Sequence, residues 1–302
     1  MKPFLTVRRS ILRFLATTVA ALSLGAAPLA VAQDIVRPSP RFSVEVMGQG
    51  PDVIFLHGYA SSREVWRPAA ERLAGQYRVH LVQLSGFAGE PWTLDDAPVL
   101  QPALDDLAAY AATLDRPAFI GHSMGGLGGL IIAQKHPDRL SKVMSVDSLP
   151  FFGAMTNPAA TVESVRPMAD QMERVIRAAP EGMLRGQQQQ TAVIMTLSED
   201  RRDSIVEDST RSDRGVLARA LKELMLTDIR AGLPAMTTPV WAVYAVDNSG
   251  PQGAQSPQIW PREYAPLPNV RMEPVQNSRH FIMYDQAEAL NALIDAFLVE
   301  GR

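Results

Sequence analysis

Hydrophobic positions fall into two periods that take turns along most of the chain. Residues 41–46 alternate apolar and polar, as an edge strand does, and 53–56 form a continuous apolar run ending at His57-Gly58. The stretches 77–84, 118–120, 143–146, 241–246 and 270–272 read the same way, short and rich in branched residues. Between them, residues 64–74, 103–114, 125–135 and 286–298 carry helical patterns. Strands alternating with helices predict an α/β fold with a mostly parallel, doubly wound sheet covered on both faces.

From about 153 to 232 the alternation stops. That stretch holds helical patterns such as 168–178 and 215–226, rich in both charges, and no strand pattern. It predicts a helical cap inserted between two strands of one domain spanning 33–302. Met155, Met168, Met172, Met183, Met195 and Met225 make this region methionine-rich, which suits either ordinary helix packing or an adaptable apolar wall.

The first 32 residues belong to neither pattern. A basic start with Lys2, Arg8, Arg9 and Arg13 runs into an apolar stretch broken by Gly25 and Pro28, then into Ala30-Val31-Ala32. Charged start, apolar middle and small residues before a cut are the order of an export signal, so a periplasmic or secreted protein is expected. Residues 7–13 also carry the paired arginines of a twin-arginine signal. With its two breaks and no charged stop-transfer flank, the stretch predicts no stable membrane span.

Charge and composition then narrow the chemistry. The 302 residues carry a net charge of −3, and the part after the leader holds 25 of the 29 basic residues against all 32 acidic ones, or −7. That balance argues against a nucleic-acid partner. There is no cysteine, which removes disulfides, thiolate metal sites and thiol nucleophiles together. No zinc-binding or dinucleotide-binding spacing is present, so neither metal nor organic cofactor is expected.

The richest stretch is Gly121-His122-Ser123-Met124-Gly125-Gly126, with an apolar strand before it and a helix after it. Gly-x-Ser-x-Gly between strand and helix puts the serine on a tight turn that lifts its hydroxyl clear of the sheet. Ser123 is therefore the candidate nucleophile, with the backbone N–H of Met124 one candidate donor to an oxyanion. A serine hydroxyl needs a base, and there are five histidines to choose from. His57 ends a strand before Gly58 and is expected to shape that turn. His80 lies inside a strand pattern, His122 adjoins the nucleophile and cannot fold back onto it, and His136 ends a helix. His280, in Asn277-Ser278-Arg279-His280-Phe281 after the last strand, is the candidate base.

The base needs a carboxylate. Asp247 and Asp147 both stand just past apolar strands, where functional groups gather in open α/β sheets. Asp247 is the expected acid, because it gives the order serine, acid, histidine with the acid on the penultimate strand; Asp147 is the alternative. The second oxyanion donor is expected from the N–H of Tyr59, in Leu56-His57-Gly58-Tyr59, with Ser61 or Ser62 capping the next helix.

His57-Gly58-Tyr59, Gly121-His122-Ser123-Met124-Gly125-Gly126, Asp247 and Ser278-Arg279-His280-Phe281, in that order, resemble the α/β-hydrolase superfamily in its single-domain form with a helical cap. The likeness spans about residues 41–300. It departs from the pattern at Ala245-Val246-Asp247-Asn248, where many relatives have Gly-x-x-Asp, and at Leu84-Ser85-Gly86-Phe87-Ala88-Gly89. Members that use an aspartate nucleophile, dehalogenases and epoxide hydrolases, differ from this chain at Ser123. What the resemblance implies is acyl transfer to water, most simply an ester hydrolase acting on a small-molecule ester. A lactonase, a C–C bond hydrolase or perhydrolase on the same triad, or a non-catalytic ligand-binding receptor, are the alternatives.

Overall fold

The computed structural model describes Met1 and residues 34–155, 157–249 and 251–300. The leader expected at 1–32 lies, Met1 apart, outside the described residues.

The apolar runs become strands in the expected order. β1 (Asp34–Ser39), β2 (Phe42–Met47) and β3 (Asp52–Leu56) lead into α1 (Arg67–Leu73), and β4 (Arg78–Leu84) into α2 (Leu100–Ala111). β5 (Ala118–His122), α3 (Met124–Lys135) and β6 (Lys142–Val146) follow. They form one eight-stranded sheet in the order β1-β2-β4-β3-β5-β6-β7-β8, with β7 (Val240–Val246) and β8 (Val270–Gln276) at the far side. Pairing is antiparallel at β1–β2 and β2–β4 and parallel elsewhere. This is a mostly parallel, doubly wound α/β sheet.

Residues 41–46 do not form the edge. β1 pairs along β2 and takes that position itself. The alternation misleads because the polar face of β2 meets charged partners and not water: Arg67 holds Glu45 at 2.5 and 2.7 Å, and Arg63 donates to Ser43.

Each face of the sheet has its own core. Phe119, Leu104, Leu127 and Leu130 pack beneath α2 and α3; Trp66, Leu73, Trp241, Ile294 and Phe297 pack beneath α1 and the C-terminal helix. Trp66, fully buried, gives its indole N–H to Leu56 O at 3.0 Å, so its polar tip is satisfied inside the core.

Between β6 and β7 lie α4 (Val162–Ala178), α5 (Glu181–Met195), α6 (Arg202–Arg211) and α7 (Arg214–Leu226). They group as two pairs, α4 along α7 and α5 along α6. α4 starts with a capping box, in which Thr161 and Ser164 satisfy each other's backbone N–H. α7 is fastened to the body: Glu223 accepts from the N–H groups of Val99 (3.0 Å) and Leu100 (2.6 Å), which begin α2. Arg219 also pairs with Asp96, and Asp213 N–H donates to Gly86 O at 2.8 Å. Ser62, expected as a helix cap, instead donates to Asp208 of α6 at 2.7 Å.

After β7 the chain forms α8 (Pro251–Tyr264), a stretch to which the sequence pattern assigns no element. Pro251, Pro257 and Pro261 conceal the helical pattern, although a proline suits a first helical position. α9 (Ile282–Asp285) and α10 (Ala287–Val299) complete the chain. Among the described residues no helix is long and apolar enough to cross a membrane.

Candidate active site

Ser123 sits where β5 turns into α3, at φ 53° and ψ −119°. That backbone conformation is strained for a residue with a Cβ, and it is held by crowding on both sides. A Cβ on Gly121 would lie 2.2 Å from Gly125 O, and one on Gly125 would lie 2.5 Å from Leu56 O. Only glycine fits at either position. Ser123 gives its own N–H to Val146 O at 2.8 Å, which ties the turn to the end of β6. The N–H groups of Met124 and its successors open α3 and have no intrahelical acceptor.

The turn after β3 presses against the same spot. A Cβ on Gly58 would come within 3.1 Å of Ser123 Cβ, so the backbone leading to Tyr59 adjoins the serine. His57 shapes this turn as expected. Its Nδ1–H donates to Gly58 O at 2.7 Å, and its Nε2 accepts from Leu84 N–H at 3.1 Å. The second bond requires the neutral ring, and complete burial pushes its pKa down to about 4. His80 is structural too, held by Asp52 at 2.9 Å and Tyr110 at 2.7 Å.

His280 arrives on the loop after β8, with Nδ1 2.6 Å from Asp147 Oδ2. The second oxygen of Asp147 accepts from Ala245 N–H at 2.9 Å, and its N–H donates to Val243 O at 2.7 Å, so β7 fixes the carboxylate. His122, beside Ser123, turns away from it and gives Nε2–H to His280 O at 3.0 Å, the two rings standing 4.5 Å apart. Burial and the neighbouring His280 hold His122 well below the usual imidazole range.

Asp247, expected as the partner of His280, is engaged elsewhere. Its Oδ2 accepts from Arg279 Nε at 2.8 Å, and its Oδ1 from Ser249 N–H and Oγ at 2.9 and 2.6 Å. The Ser249 hydroxyl and the Arg279 guanidinium hold its carboxyl down to about 2. Strand register explains the exchange. His122 pairs with Val146 and Val146 with Val243, so Ser123 and Asp147 end their strands at one level. β7 runs on through Val246 and carries Asp247 three residues past that level, roughly 10 Å at strand rise. Like Ser123, Asp147 has a positive φ, 47°, where its strand stops and the chain leaves for the cap.

Above Tyr59, between the two helical pairs of the cap, opens a cleft of about 260 Å³. Tyr59, Met172, Val175, Ile176, Leu184 and Leu217 give it largely apolar walls, and Tyr59 OH donates to Leu217 O at 3.0 Å. Met172 and Val175 are 40% and 45% exposed, so this part of the methionine-rich cap is not buried helix packing. Among the described residues no group of three or more His, Asp or Glu side chains is arranged to hold a metal ion.

A model of the alpha/beta hydrolase family matches residues 53–293. A pimeloyl-[acyl-carrier protein] methyl ester esterase of Aeromonas hydrophila is 38% identical over 112 residues, 37% of this chain and 43% of that protein. This chain thus spans under half of that relative's length. The esterase of the same name from Vibrio atlanticus is 29% identical over 209 residues, 66% of this chain and 77% of that protein. Among solved structures, the enol-lactonase from Burkholderia xenovorans LB400 superposes with a TM-score of 0.70 at 16% identity, covering 86% of this chain and 96% of its own. A thermophilic esterase from Thermogutta terrifontis gives 0.67 at 21% identity, covering 85% and 92%. At such identities the two solved structures share the fold.

The buried neutral histidines generate a pH prediction. Protonating His57 would set a second N–H against Leu84 N–H, so the folded chain refuses a proton that the unfolded chain accepts near pH 6.5. Stability is therefore lost as the pH falls from 6.5 towards 4, with His57 alone contributing about 2 kcal/mol between pH 7 and 5. Urea denaturation at those two pH values checks this; equal stability at both would contradict it.

Proposed function

The chain belongs to the alpha/beta hydrolase family, and on that premise we propose that it is a serine hydrolase of carboxylic esters. Ser123 is the nucleophile, His280 the general base and Asp147 the acid. The observation that carries this reading is the 2.6 Å hydrogen bond from His280 to Asp147, with Asp147 ending its strand level with the strained Ser123. The esterase names of the relatives point to the same reaction class.

Ser123 Oγ attacks the ester carbonyl while His280 Nε2 takes its proton, and Asp147 stabilises the imidazolium that results. The N–H groups of Met124 and Tyr59 hold the oxyanion, each worth roughly 100- to 1,000-fold in turnover. His280 then gives its proton to the leaving alcohol. Water, deprotonated by the same imidazole, releases the acid from Ser123. The apolar cleft above Tyr59 holds the hydrocarbon arm of the ester. The leader supports export to the periplasm or beyond, with cleavage after Ala32.

Two measurements test this reading. With p-nitrophenyl esters from acetate to hexanoate, kcat/KM is expected to rise up to about fourfold per methylene, since each buried methylene is worth about 0.8 kcal/mol. Ser123→Ala is expected to lower kcat by roughly a millionfold without loss of fold. Equal slow hydrolysis by wild type and variant would contradict the assignment. For export, intact mass of the protein recovered from the periplasm or medium is expected to show Gln33 at the N-terminus; retention in the cytoplasm with the leader attached would overturn that part.

A further inference from the structure

The residue before His280 and the residue after it are both tied to the end of cap helix α5. Arg279 Nη1 donates to Val193 O at 2.5 Å, in the last turn of that helix. Carbonyls there lack intrahelical donors, and a cation there meets the negative end of the helix dipole. Phe281 N–H donates to Met195 O at 3.0 Å. Asp285 bridges the same two segments. Its Oδ2 accepts from Arg279 N–H at 2.8 Å, and its Oδ1 from Thr196 Oγ1 and Leu197 N–H at 2.5 and 2.9 Å.

Asp247 is the fixed point of this network. Ser249 occupies its Oδ1, which leaves Oδ2 to hold Arg279 Nε at 2.8 Å, and both side chains are largely shielded from water. The aspartate that ends β7 thus secures an arginine whose other arm reaches the cap. Within the cap α5 packs chiefly on α6, and its Leu184 walls the cleft. The last turn of α5 therefore cannot swing without pulling on residues 279 and 281, and so on the imidazole between them.

We propose that Asp247 and Arg279 form a positioning strut that locks the end of α5 to the His280 loop, so that seating the cap and presenting the imidazole are one event. Arg279 and Asp247 act through His280 and touch no reacting atom. The kinetic part rests on His280 being the base, as proposed above; the structural part does not.

The test has two arms. In hydrogen–deuterium exchange of Arg279→Gln, residues 193–198 and 278–285 are expected to exchange at least about tenfold faster together, with the central strands unchanged. Acceleration of only one segment, or of neither, would overturn the strut. In the kinetic arm, Arg279→Gln and Asp247→Asn are each expected to lower kcat for p-nitrophenyl butyrate about tenfold, with KM within twofold. The double variant should be no worse than either single one, and Arg279→Lys, which keeps one of the two contacts, should recover part of the loss. An unchanged kcat in Arg279→Gln, or a far deeper loss in Asp247→Asn than in Arg279→Gln, would also overturn it. If the wild type turns over no ester, the proposed function fails, and the exchange arm decides the strut by itself.

Discussion

The hydrogen bond from His280 to Asp147 organises the carboxyl end of the sheet. It joins the loop after β8 to the end of β6, passing over β7, and β7 supports it from below through Ala245 N–H. Its length of 2.6 Å and the burial of the carboxylate make it a strong contact of the charge-assisted kind once the imidazole takes a proton. Asp147 ends its strand level with Ser123 because β5 and β6 stop together, and Ser123 N–H fastens that level by bonding Val146 O. Ser123 and Asp147 both hold positive φ, a strain of about 1–3 kcal/mol each that surrounding packing must offset. Asn277, just after β8, shares that backbone sign at φ 54°, and Ser123 and Asp147 differ from it in ending neighbouring strands at one level.

Most of this architecture was legible from residue order. Period-two and period-3.6 stretches located seven of the eight strands, the crossover helices other than α8 and the helical insertion, since hydrophobic burial decides those features locally. Ser123 was legible because strand, Gly-x-Ser-x-Gly and helix form one contiguous signal, and His280 because four other histidines had structural places. The acid was not. Asp147 and Asp247 each follow an apolar strand, and the choice between them turns on how far β7 extends past β6, a relation between distant segments. β7 is buried along its whole length, and a continuously apolar run of that kind has no alternation to mark its register with its neighbours. α8 was hidden for a different reason, its three prolines masking an otherwise helical stretch. β1, short and exposed at Ile35 and Val36, lacked an apolar pattern to reveal it.

The cap divides into two halves with different attachments. The α4–α7 pair is pinned to the body through Glu223, Arg219 and Asp213, far from His280 in sequence. The α5–α6 pair is anchored at Ser62–Asp208, at Ala88–Ser212 and at the His280 loop itself. The cleft lies between a wall fixed to the sheet and a wall tied to the imidazole. One wall of the cleft and the His280 loop therefore share one mechanical element. The aspartate at the end of β7 gains a role in that element, one its place in the sequence did not suggest.

The most direct measurement is the rate at which a fluorophosphonate probe labels the folded protein, followed by mapping of the adduct. The account predicts a single adduct on Ser123 in native wild type. It predicts labelling slowed by roughly 10⁴-fold in Asp147→Asn, the scale for losing a triad carboxylate, and by only about tenfold in Asp247→Asn. An adduct on another residue, or a loss in Asp247→Asn equal to or deeper than that in Asp147→Asn, would contradict it.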